Sequence, residues 1–79
     1  MRAKSPKTVV TFGSTSDAMA MEAAARACGL PGRVIPVPSE IDAGCGLAWC
    51  VPMELRSELL AGIAEHGLAY EGVFEVAMY

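Results

Sequence analysis

Thr8-Val9-Val10-Thr11-Phe12-Gly13-Ser14-Thr15-Ser16-Asp17 changes backbone habit within a few residues. Thr8 to Phe12 are β-branched or aromatic and stop at Gly13, which reads as a strand. Ser14 follows, with an acid three positions on, which is how a helix starts. The predicted helix runs to Cys28 and stops at Gly29, with an apolar stripe of Ala18, Met21, Ala25 and Cys28. Glu22 and Arg26 form an i,i+4 pair on its other side. A strand feeding directly into an amphipathic helix is the first half of a split βαβ unit.

The rest of the chain repeats that pattern. Arg33 to Val37 reads as a second strand, and Pro36 and Pro38 place it at a sheet edge because proline cannot donate to a ladder. Ser39 to Gly44 is a loop, and Gly46 to Val51 a third strand. Pro52 suits the first turn of a second helix, with Leu55, Leu59 and Ile63 inward and Glu54, Glu58 and Glu65 outward. His66-Gly67 closes it with a potential cation and a left-handed glycine. Residues 70–78 form the last strand, where Phe74, Val76 and Met78 alternate with Glu75 and Ala77.

The order β-α-β-β-α-β predicts an α+β, ferredoxin-like sandwich: a four-stranded antiparallel sheet, order 4-1-3-2, with both helices on one face. Three loops then share one end of the sheet, which sets Cys45-Gly46 beside Gly13-Ser14-Thr15 and brings His66 to the same end.

Seventy-nine residues, 53% of them hydrophobic, allow one small core. The expected plan is a flexible basic tail over residues 1–7 and a single domain over 8–79. From Thr8 onward three arginines stand against nine acids, a balance that repels phosphate backbones and argues against nucleic acid. The longest charge-free stretch, Ala43 to Met53, has 11 residues, against the ~18 of a membrane span. No apolar run follows the basic start, so no signal peptide is expected and the predicted location is cytoplasmic.

The three cysteines are odd in number, which argues against a disulfide scaffold. Cys28 reads as filler at the end of the helix stripe. Cys50 has the opposite parity to Leu47, Trp49 and Val51 and is expected on the open sheet face, packed or in an interface. Cys45 differs, because Gly44 and Gly46 flank it and let a ligand or partner come close. Its parity matches Leu47 and Trp49, so it is expected to point toward the start of the first helix. A helix N-terminus carries unpaired N–H groups and partial positive charge, and thiols there have pKa values depressed to roughly 3.5–7.5. Gly13, Ser14, Thr15 and Ser16 are the candidate anion donors, and a small turn residue is the plain alternative for Cys45. His66 is a helix-end residue by its position and an auxiliary candidate by its location. A Cys45–Cys50 disulfide is not expected, since five strand residues span about 16 Å and the odd spacing puts the two on opposite faces. No metal site and no cofactor motif is expected.

Three segments carry a resemblance: Thr11-Phe12-Gly13-Ser14-Thr15-Ser16-Asp17-Ala18-Met19 with Glu22, Val34-Ile35-Pro36-Val37-Pro38, and Cys45-Gly46-Leu47-Ala48. In that order they resemble the selenium/sulfur carrier-like family, DUF3343, over Thr8 to about Val76. The resemblance implies a cytoplasmic bacterial protein that handles sulfur or selenium on Cys45. The chain departs from the pattern at Ser39, where the family commonly has a basic residue, and Cys50 lies outside it.

Two functions follow as expectations. One is a covalent carrier, with Cys45 accepting a sulfur or selenium atom from a cysteine desulfurase-type donor and passing it to an acceptor protein. The other is a small binding or oligomerisation module, a homodimer formed through an open sheet face that exposes Val9, Val73, Ala48 and Cys50.

Overall fold

A computed structural model of the chain describes residues 4–41 and 46–78. Its elements are β1 (Ser5–Thr11), α1 (Thr15–Cys28), β2 (Arg33–Pro36), β3 (Leu47–Pro52), a 3-10 turn (Met53–Leu55), α2 (Arg56–His66) and β4 (Gly72–Met78). The strands form one antiparallel sheet in the order β2-β3-β1-β4, and the architecture is the α+β, ferredoxin-like one expected. Ser14 caps α1 from an extended backbone, its Oγ accepting the Asp17 N–H at 3.2 Å. Satisfying one of the orphan donors of the first turn is what fixes the helix start there.

β1 begins three residues earlier than the sequence suggested. Ser5, Pro6 and Lys7 pair with Met78, Ala77 and Val76, so this part of the expected tail is strand. Pro6 is tolerated in a central strand because the β3 ladder starts only at Lys7, opposite Pro52. The second helix also differs. Pro52 ends β3, a 3-10 turn follows, and α2 starts at Arg56 with no side-chain cap. Leu55, expected inward, sits in that turn and is exposed.

The main core lies between the helices and one sheet face. Val10, Phe12, Trp49 and Val51 meet Ala18, Met21 and Ala25 of α1 and Leu59 and Ile63 of α2. Cys28, expected to complete the α1 stripe, is exposed. Leu30 packs against the core instead, after the chain turns at Gly29, whose N–H donates to Ala25 O. Leu30 also closes on Gly62, where an added Cβ would lie 2.5 Å from Leu30 Cδ2 and 3.2 Å from Cδ1. Gly62→Ala therefore sets a helix gain of about 0.5–1 kcal/mol against an overpacking cost of about 1–3 kcal/mol. A net loss near 1 kcal/mol is expected, and a double-mutant cycle with Leu30→Ala should recover part of it. Strictly additive melts would show that the two residues do not meet.

The face opposite the helices is the larger correction. Val9 and Ala48 are 0% exposed and Cys50 5%. Val9, Ala48 and Val76 form a second buried cluster, covered by Ile35, Val37, Ile41 and Met78. The chain after β2 folds back over the sheet, with the Val37 N–H bonded to Gly46 O at 3.1 Å and the Ile41 N–H to Pro38 O at 3.0 Å. Val73, expected outward, lies on the helix-covered side, paired with Val10, and Phe74, paired with Val9, takes the outer face instead. No helix among the described residues is long and apolar enough to cross a membrane.

Candidate functional site

The register of β1 with β3 sets Thr11 opposite Ala48, so the end of β1 and the start of β3 share one end of the sheet. The chain after α2 reaches the same end, where the Glu71 N–H donates to Thr11 O at 2.7 Å. Gly13, Ser14, Thr15 and Ser16 are all exposed there. The Ser14 oxygen is already committed to its cap. Two acids border the same helix start. Asp17 lies in its first turn, and a Cβ on Gly13 would stand 4.0 Å from Glu71 Oε2. Both carboxylates oppose the partial positive charge that an anion would use.

Gly44 and Cys45 lie outside the described residues. Gly46 is described, and its φ of 80° takes the chain out of strand geometry before Leu47. The side-chain alternation of Leu47 and Trp49 therefore ends at Gly46, and the parity used to aim Cys45 extends no further. His66 is the last residue of α2, exposed, with Gly67 closing the helix behind it. A cation there favours the helix dipole.

The other thiols are placed clearly. Cys50 is buried in β3, with its Sγ 3.9 Å from Met78 Sδ. Cys28 is exposed at the C-terminal end of α1, the end whose dipole disfavours anions. Among the described residues no group of three or more His, Cys, Asp or Glu side chains is arranged to hold a metal ion.

One feature escaped the sequence. An open groove of about 350 Å3 lies between α1 and the start of β2, lined by Glu22, Arg26, Arg33 and Trp49 among others. Two of the body's three arginines, in a chain poor in basic residues, were the available signal. They are seven positions apart across the Gly29–Gly32 turn, and only the fold shows that they border one space.

Neither the curated proteins nor the solved structures contain a match to this chain. The sequence model of the family described as "Putative Se/S carrier protein-like" matches residues 7–75, and the chain belongs to that family.

Proposed function

We propose that the protein carries sulfur or selenium as a persulfide or selenopersulfide on Cys45. The observation that carries this reading is family membership over a span that includes Cys45 and its two glycines. The burial of Cys50 supports it. A carrier thiol must be reached by two partners in turn, and Cys50 is 5% exposed. Cys28 is exposed, and the Cys28→Ser variant below tells it apart from Cys45.

In the loading step the Cys45 thiolate attacks the terminal sulfur of a donor persulfide. A new bond forms from Cys45 Sγ to that sulfur, the donor S–S bond breaks, and the electron pair leaves with the donor thiolate. Delivery reverses the roles, with an acceptor nucleophile taking the sulfur and Cys45 leaving as thiolate. Selenium moves in the same way from a donor selenopersulfide. Neither step needs an outside oxidant or reductant. Glycines on both sides of Cys45 leave room for each approach.

The test is intact mass after incubation with a cysteine desulfurase and either cysteine or selenocysteine. The parent chain, Cys28→Ser and Cys50→Ser should each gain one sulfur or selenium atom, removable by a thiol reductant. Cys45→Ser should gain none. An adduct that survives in Cys45→Ser, or one that never forms on the parent, sinks the reading. The dimerising-face alternative has less to rest on, because Val9, Ala48 and Cys50 are buried within one chain. Phe74, 41% exposed, is the large apolar side chain left uncovered on that face.

A further inference from the structure

We propose that the open groove between α1 and β2 binds a free α-amino acid with an apolar side chain. Its volume of about 350 Å3 is near the lower end of the ~300–1,000 Å3 of small-molecule sites, and suits a ligand of that size. Its charged groups match a zwitterion. Arg33 is exposed and has no ion-pair partner among the described residues, which leaves its guanidinium to take a carboxylate in bidentate fashion. Glu22 lines the same space and can accept the ammonium group. Its present partner, Arg26, lies 3.6 Å away and is 78% exposed, a contact weak enough to rearrange around a ligand.

The floor of the groove is apolar. Leu30, Val34 and Trp49 line it, and the Trp49 Nε1–H is already bonded to Pro31 O at 2.8 Å. Trp49 is 3% exposed, so Leu30 and Val34 supply the apolar surface that a ligand can reach, and a polar side chain would find no partner there. Gly32, with φ 104°, lets the start of β2 lie against that indole without filling the space. Arg33, opposite Cys50, opens β2 at the end of the sheet away from Gly13 and Ser14. Amino-acid binding here is independent of the carrier reading.

The chain has one tryptophan, which lies beneath the groove, so its emission is a probe of this one place. Titration with L-methionine should change Trp49 emission saturably, and isothermal titration should give the same affinity. N-acetylmethionine, which has no ammonium, and methioninamide, which has no carboxylate, should each bind about tenfold more weakly. Arg33→Gln should lose about tenfold with an unchanged melting temperature, since its side chain is exposed. Glu22→Gln should weaken the free amino acid but not its N-acetyl derivative. Cys45→Ser should bind methionine as the parent does, even where it loses the sulfur adduct. Absence of both emission change and heat up to about 10 mM, equal affinity for the capped forms, or parent-like affinity in Arg33→Gln would each overturn the proposal.

Discussion

Gly32→Ala is expected to lower the stability of the domain by about 3 kcal/mol, from two separate sources. The first is the backbone. Gly32 has φ 104°, a conformation that costs an L side chain about 1–3 kcal/mol. The second is space. A Cβ at Gly32 would run into Trp49 Nε1 and come within 2.6 Å of Cys50 O. The carbonyl belongs to the β3 ladder, and the indole is pinned by its bond to Pro31 O, so neither can yield cheaply. Overpacking of this kind costs about 1–3 kcal/mol more. At roughly 4–8 °C per kcal/mol for a small domain, the melting temperature should fall by about 15–20 °C. Gly29→Ala is the control. Its φ is also positive, at 72°, but a Cβ there meets nothing within 4 Å, so about 1 kcal/mol is expected. Equal melting temperatures for the two variants would mean that backbone conformation alone matters and that the indole is not packed on Gly32.

The contrast between these glycines also shows which parts of the structure a sequence discloses. Local rules sufficed where the cause is local. Ser14 and Asp17 announced the start of α1, Gly29 and Gly67 its and α2's ends, and the two prolines the edge position of β2. Strand order followed from the handedness of the crossovers. What could not be read was which of several apolar residues a distant segment covers. Cys28 continues the α1 stripe on a helical wheel, but the turn at Gly29 brings Leu30 back over the core, and Leu30 is larger. Val73 and Phe74 are both apolar neighbours in an edge strand, and only the pairing of Val10 with Val73 decides which faces the helices. The candidate site was legible as a set of loops at one end of the sheet. The acid beside it, Glu71, was not, because its approach to Gly13 depends on how the chain leaves α2.

Val9→Asp is expected to unfold most of the protein at 25 °C, a larger effect than that of Gly32→Ala. Val9 lies mid-strand on the face away from the helices, opposite Cys50 on one side and Phe74 on the other. A sheet face open to solvent would accept an aspartate there at little cost. Val9 instead is 0% exposed, enclosed with Ala48 and Val76 beneath Ile41 and Met78. Losing the buried valine removes about 1.5–3 kcal/mol. Placing a carboxylate in that cluster costs several kcal/mol more, whether it stays charged or takes up a proton. Stability for a chain of this length is only about 4–12 kcal/mol in total, so the sum approaches or exceeds it. Phe74→Asp, on the same face but 41% exposed, should change stability by no more than about 1 kcal/mol. Urea melts followed by far-ultraviolet circular dichroism would separate the two, and a Val9→Asp variant as stable as Phe74→Asp would show the face to be open. The difference bears on function, because residues of this second cluster flank Cys45 in the chain. Ile41 packs into the cluster before Cys45, and the Val37 N–H holds Gly46 O just after Cys45. A milder change, Val9→Ala, should therefore leave the helices folded while loosening the hold on Ile41. Its sulfur loading in the mass assay should fall in a chain whose helical signal is unchanged, which a purely global loss of stability would not produce.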